Sequence, residues 1–290
     1  MRRVGVIGHS GYDDLPSILG RLVALAPTLG LSLAFEHDMH VVARAGERLE
    51  TPDDLDCLLS LGGDGTLLRA ARYLDGRSVP ILGVNLGKLG FLTSCSAGEM
   101  EHGLRMFANG TYRAEARMGL EATALDRDGT ERERLIALND VVLHKGGFAR
   151  VLRLRVWIDG ESIGAYSADG VVVSTPTGST AYSLSAGGPV VVPTLESILV
   201  TPVSPHTLAI RPLILPPSAE VRLQTEDGPE ELLVTVDGQV GTSFAGGQTL
   251  VVKRAPTAVR IVRFHGGSFF EVLRRKLGWG GLAERDDDTA

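Results

Sequence analysis

The chain has 290 residues, enough for one large domain or two ordinary ones and for a core that needs no disulfide or metal staple. Hydrophobic residues at 43% and charged residues at 22% exclude a mostly disordered chain, and a net charge of −6 excludes a broad basic face for duplex nucleic acid. The run Glu284–Asp288, with four acids and one Arg, carries −3 of that charge, so the rest of the chain is nearly neutral.

Cys57 and Cys95 are the only cysteines and form no framework. No apolar stretch reaches the roughly 18 residues that a membrane span requires, and the N-terminus does not read as a signal peptide. A cytoplasmic chain without membrane or nucleic-acid partners is expected. Glycine is abundant at 36 of 290 residues, which places tight turns and close backbone approaches at a premium.

In chain order, Val4–Gly8 reads as a buried strand. Asp14–Leu29 reads as a helix, with Leu15, Ile18, Leu19, Leu22, Val23 and Leu25 at helical spacing. Leu55–Leu61 reads as a strand, Thr66–Leu74 as a helix, Val79–Val84 as a strand and Ala97–Asn109 as a helix stopped by Gly110. Alternating strands and helices predict a parallel sheet with crossover helices over residues 1–111.

From Tyr112 the pattern becomes many short strands, among them Leu152–Ile158, Glu220–Gln224, Leu232–Val236 and Val259–Val262. The dipeptides Asp128-Gly129, Asp159-Gly160, Asp227-Gly228 and Asp237-Gly238 punctuate them as turns. A β-rich, sandwich-like domain over 112–267 is predicted, interrupted by a helix over Thr180–Ala186. Ser268–Leu277 reads as a last helix, and residues 268–282 are expected to pack back on the first domain. An acidic disordered tail over 283–290 completes the expected order.

Four stretches carry chemistry. In Leu58–Arg69 (LLSLGGDGTLLR) a strand runs through Gly62-Gly63-Asp64-Gly65-Thr66 into a helix. Glycines there let a ligand approach the backbone, and the helix start suits phosphate. The competing reading is that Asp64 and Thr66 only cap the helix. Asp169–Pro189 (DGVVVSTPTGSTAYSLSAGGP) joins a buried strand to a segment dense in hydroxyls, with Tyr182 offering a flat face to a base. Asn139-Asp140 places an amide and a carboxylate at a strand mouth, able to fork onto two ribose hydroxyls or only to shape a turn. Asn85–Leu92 (NLGKLGFL) is a glycine-rich loop after a strand and holds one of the four lysines.

Taken together with Asp237-Gly238-Gln239, these motifs resemble the NAD kinase family, in the family's order and across most of the chain. GGDGT alone is also found in diacylglycerol and sphingosine kinases; STPTGSTAY is the specific part. The resemblance implies a Rossmann-like α/β N-terminal domain, a β-rich C-terminal domain, and transfer of a phosphoryl group from ATP, or from polyphosphate, to NAD. Mg²⁺ would ride mainly on the nucleotide phosphates, with no metal site in the protein. A homodimer or homotetramer is implied.

By the same resemblance Asp64 is the general base. Gly62, Gly63, Gly65, Thr66, Arg69, Asn85, Asn139, Asp140, Arg150, Asp169, Thr180, Ala181, Tyr182, Ser183, Leu184, Ser185 and Gln239 line the nucleotide. Ser167 departs from the pattern, since many members carry Arg or Lys there. The alternatives are a lipid kinase using the GGDGT turn and a non-catalytic NAD(P) sensor.

Overall fold

The computed structural model describes residues 1–88, 90–146, 152–207, 209–225, 232–264 and 268–278. Arg150, Leu89, the Asp227-Gly228 turn and the acidic tail lie outside the described residues. Two compact units account for the chain. The first comprises Met1–Ala70, Val79–Glu115 and the C-terminal segment from Arg260; the second comprises Ala71–Ser78 and Ala116–Val259.

The first unit is an eight-stranded sheet. Its order is Glu47–Arg48, Leu31–Phe35, Arg2–Gly8, Cys57–Leu61, Ile81–Asn85, Val259–Arg263, Arg113–Arg117, with Cys95–Ser96 also pairing Ile81–Asn85. The strands from Glu47–Arg48 to Val259–Arg263 pair in parallel. Cys57–Leu61 and Ile81–Asn85 are buried along their whole length, as parallel strands covered on both faces are. The Cys57 thiol is fully buried there, and burial pushes its pKa up to about 12, leaving an unreactive apolar group. Chain order reverses between Arg2–Gly8 and Cys57–Leu61, the place where doubly wound sheets bind ligands at the strand carboxyl ends.

Local chemistry adjusts the predicted helices. The helix expected over Asp14–Leu29 is α-helical over Leu15–Leu25 and tightens to a 3₁₀ turn over Ala26–Leu29. Pro27 has no N–H to continue the ladder, and Gly30 ends it at φ +66°. The helix expected from Thr66 begins two residues earlier, as Asp64–Leu74. Leu31–Phe35 and the helix His37–Ala43 were not among the predicted elements.

The second unit contains two six-stranded sheets. One runs Leu213–Leu215, Ile198–Val203, Gly170–Ser174, Asp140–Lys145, Leu232–Val236, Val240–Phe244; the other runs Glu161–Ala168, Leu152–Ile158, Val221–Thr225, Thr249–Arg254, Leu120–Leu125, Glu131–Ala137. Period-2 patterning builds their core. In Leu152–Ile158, Leu152, Leu154 and Val156 are buried while Arg153 and Arg155 face out. Residues from both sheets, including Leu143, Val173, Leu154 and Leu223, share one apolar cluster. At Asp159-Gly160 both residues have positive φ, +51° and +82°, which a two-residue hairpin turn requires.

One expected assignment is corrected. Val259–Arg263 joins the first sheet, not the β-rich sheets, parallel to Ile81–Asn85 with Ile261 opposite Ile81. A short strand such as this, with Val259, Ile261 and Val262 interspersed with arginines, carries no mark of which sheet it will join. The helix expected over Thr180–Ala186 is also corrected. It is a 3₁₀ turn, Gly178–Thr180, then a single α-turn, Tyr182–Ser185, broken at Ala181 by an extended ψ of −128°.

Among the described residues no helix is long and apolar enough to cross a membrane. The core assignment makes a paired prediction. Leu143→Ala should remove about 2–5 kcal/mol of unfolding free energy, because Leu143 is fully buried. Leu233→Ala, on the adjacent strand but 38% exposed, should remove no more than about 1 kcal/mol. Urea melts followed by circular dichroism separate the two, and equal losses would refute the assignment.

Candidate active site

The strand Cys57–Leu61 delivers the chain to Gly62-Gly63, and the helix Asp64–Leu74 starts at once. The Thr66 and Leu67 amides donate to the Gly63 carbonyl at 3.0 and 3.3 Å, so Asp64 sits in the first turn. Its carboxylate does not cap its own helix. Oδ2 accepts from the Phe91 amide at 2.8 Å and Oδ1 from the Leu92 amide at 2.9 Å. Both bonds reach amides far along the chain, 27 and 28 residues away. Gly90 makes the contact possible, since a Cβ there would collide with the Asp64 carboxylate. Lys276 Nζ lies 3.5 Å from Asp64 Oδ2. Oδ1 keeps a lone pair for a further donor.

Around this group the predicted set divides. Gly62 and Gly63 form the turn, and the space beside Gly63 is open. Thr66 is buried, with its side chain packed against Gly62, while Gly65 follows Asp64 in the first turn. Arg69, expected to touch the dinucleotide, is bonded within the fold. Its guanidinium holds Glu36 through two bonds of 2.6 and 2.9 Å and donates to the Gly8 carbonyl at 2.5 Å. Glu36 in turn accepts from the Gly8 amide at 2.7 Å. This ion pair braces the ends of two strands at the sheet's reversal point, and Glu36 gave no signal in the sequence.

Asn85 is likewise occupied. Its amide donates to the Lys88 carbonyl at 2.7 Å and accepts from the Gly87 amide at 3.0 Å, so it shapes its own loop.

In the second unit three carboxyl-bearing or aromatic residues converge. Asp140 opens the strand Asp140–Lys145 and is 4% exposed. Asp237 lies on the turn after Leu232–Val236, where Asp237 and Gly238 both take positive φ, +52° and +63°. Its carboxylate accepts from the amides of Leu138 (3.1 Å), Asn139 (2.7 Å) and Asp140 (3.2 Å). Asp237 thereby sets the backbone that presents Asn139 and Asp140.

Burial and then the neighbouring Asp237 push the Asp140 carboxyl up to about 7, against the opposing Tyr182 amide that donates to it. Burial also raises Asp237, against its three amide donors and the Arg72 guanidinium. Gln239, on the same turn, accepts from Arg72 at 2.8 Å. Asp237 was legible as a turn residue and as the start of the Asp237-Gly238-Gln239 motif; its part in holding the Asn139-Asp140 pair comes from pairing across about a hundred positions.

The hydroxyl-rich segment turns mostly on itself. Thr175 Oγ1 donates to the Leu138 carbonyl at 2.6 Å, and Ser179 Oγ donates to Pro176 at 2.7 Å and accepts from Val191 at 3.0 Å. Gly178 is pressed against Asn139, whose carbonyl a Cβ would strike. Of the predicted lining residues, Tyr182 is 44% exposed and Ser185 is exposed; Thr180, Ala181 and Leu184 are half-buried. Ser183 faces the interior, 2.9 Å from the Thr201 hydroxyl. One turn of helix cannot show all four of its side chains on one face.

Asp169 is paired with Lys145 at 2.6 Å, a partner that sequence reasoning missed. Across the sheet from Ser167 stands Arg153, so a cation lies one strand away from the position where the family pattern expects one.

Residues 34–112 match the model of the ATP-NAD kinase N-terminal domain and residues 138–264 that of the ATP-NAD kinase C-terminal domain. The NAD kinase of Gemmatimonas aurantiaca is 61% identical over 287 residues, 99% of this chain and 99% of that protein. The NAD kinase of Geobacter metallireducens is 46% identical over 282 residues, 97% and 99% of the two. Yeast NADH kinase, solved in complex with NADH, superposes with a TM-score of 0.87 at 26% identity, covering 97% of this chain and 88% of that one. An NAD kinase from Archaeoglobus fulgidus, solved in complex with ATP, shares the fold with a TM-score of 0.74 at 24% identity, over 96% and 100% of the chains. None of these relatives is a lipid kinase or a sensor. With both halves matched and near-complete relatives at this identity, the chain belongs to the NAD kinase family, phosphotransferases that convert NAD to NADP.

Proposed function

We propose that this NAD kinase uses Asp64 as the general base that takes the proton from the 2′-hydroxyl of the adenosine ribose as that oxygen attacks the γ-phosphorus of ATP. The single observation that carries the reading is the Asp64 carboxylate, fixed by two amides at a glycine turn where a helix begins. A ribose hydroxyl is a weak nucleophile, and a positioned base contributes about 10²–10⁴-fold. The remainder comes from in-line positioning and charge stabilisation. The helix start at Gly63–Gly65 offers amides for donor phosphates. The donor enters as its Mg²⁺ complex, the ion carried by the phosphates. Polyphosphate presents the same chemistry and is the competing donor.

Holding the dinucleotide falls to the second unit. Asn139 and Asp140 take ribose hydroxyls, Tyr182 gives its ring face to a base, and Asp169, Gln239, Thr180 and Ser185 contribute polar edges. Arg150 keeps the nucleotide-contact role that the family pattern assigns it. A compartment holding NAD and ATP together, the cytoplasm, goes with this reading. So does a homodimer or homotetramer, favoured by an edge strand, Leu213–Leu215, whose Leu213 and Ile214 are 39% and 52% exposed.

A coupled assay detecting NADP tests the activity, run with ATP, GTP and polyphosphate in parallel. Asp64→Asn should lower kcat by about 10²–10⁴-fold while the dissociation constant for NAD stays within about threefold. Normal turnover by a folded variant would remove Asp64 from the chemistry. Tyr182→Ala should raise KM for NAD by about tenfold with kcat nearly kept, the pattern of lost uniform binding. A loss confined to kcat would deny the ring its binding role.

Asp140 makes a pH prediction. Protonation removes the charge and turns one carboxyl oxygen into a donor, which weakens the carboxyl as an acceptor for hydroxyls, and burial with Asp237 pushes this carboxyl up to about 7. KM for NAD should therefore fall as pH rises from about 6 to about 8, and Asp140→Asn should flatten that slope. An unchanged slope in the variant would assign it to another group.

A further inference from the structure

The segment that holds Asp64 is itself held by the C-terminal part of the chain. Arg263 donates to the Phe91 carbonyl at 2.9 Å and to the Thr93 carbonyl at 2.7 Å. The last helix, Phe269–Leu277, starts on Ser268, whose hydroxyl accepts from the Phe270 amide at 3.2 Å. Arg274, Arg275 and Lys276 fill its last turn, where cations suit the helix dipole. Phe269 and Lys276 are seven residues apart and so share one face. Both reach Phe91: the Phe269 ring lies 5.9 Å from it between centroids, and Lys276 Nζ stands 4.9 Å over it. Leu273, between them, is buried. The same ammonium is 3.5 Å from Asp64 Oδ2, the oxygen that the Phe91 amide binds.

We propose that Lys276 is a positioning residue for Asp64, so that the last helix is a working part of the active centre and not only a terminal brace. The inference rests on the reading of Asp64 as the base. One ammonium touches both the carboxylate and the ring of the residue whose amide orients it. With the ammonium and the Phe91 amide both on Oδ2, Oδ1 is the oxygen left with a lone pair for the substrate hydroxyl. The ammonium also places a positive charge beside a carboxylate that must receive an anionic dinucleotide and an anionic donor.

The test compares Lys276→Met, which keeps the stem and removes the charge, with Lys276→Arg, which keeps the charge. Steady-state kinetics would vary NAD at saturating ATP, with thermal melts confirming the fold; Lys276→Gln stands in should Lys276→Met fail to fold. Lys276→Met should lower kcat by at least about tenfold with KM for NAD within about threefold, and Lys276→Arg should recover most of the loss. In the Asp64→Asn background, Lys276→Met should change the residual rate by less than about twofold, since a group acting through Asp64 has nothing left to act on.

A kcat near that of the parent in Lys276→Met, or an equal drop in the Asp64→Asn background, overturns the proposal. Should Asp64→Asn alone retain full turnover, the base assignment fails first, which separates the two claims.

Discussion

A carboxylate at the start of a helix normally caps that helix. Here Asp64 is drawn away from its own turn by two amides of the segment Phe91–Leu92. The arrangement needs the absence of a side chain at Gly90, a parallel sheet that brings Cys57–Leu61 and Ile81–Asn85 side by side, and a following loop that returns over the helix start. Each requirement is local and cheap, yet together they fix the carboxylate of a common turn in one orientation. The rest of the first unit is arranged around this contact: Arg69 and Glu36 brace the neighbouring strand end, Asn85 shapes the loop, and Arg263 and Lys276 hold it from the C-terminal side.

The second unit treats its carboxyl groups differently. Asp237 is buried but supplied with three amide donors, so its charge has partners. Asp140, the more deeply buried of the two, has one opposing donor and a like-charged neighbour, and its carboxyl is driven toward neutrality. Asp169 is paired with Lys145 at 2.6 Å. The acids of this unit thus sit in different surroundings, and burial with the neighbouring Asp237 pushes the Asp140 carboxyl up to about 7.

Motif-bearing stretches were legible because they combine glycines, hydroxyls and acids at fixed spacing. GGDGT located the turn, and the apolar run before it located the strand. Asp-Gly pairs located the hairpins at Asp159 and Asp237, where both residues take positive φ. The roles of individual side chains were less legible. Arg69, Asn85 and Ser183 are polar residues inside a motif, but each is spent on a partner within the fold. Lys145, Lys276, Glu36 and Asp237 act through partners 24 to 212 positions away, as at Lys145–Asp169 and Asp64–Lys276, and no periodicity encodes such pairings. The strand Val259–Arg263 shows the same limit at the level of the sheet: its apolar pattern declares a strand and leaves its neighbour unstated.

The central claim is a distance. In a crystal structure with NAD and a non-hydrolysable ATP analogue bound, the adenosine 2′-oxygen should lie within about 2.6–3.2 Å of an Asp64 carboxylate oxygen and in line with the γ-phosphorus. The same oxygen placed beside another acceptor, with the donor phosphates correctly seated and Asp64 still bound to the Phe91 and Leu92 amides, would contradict the account.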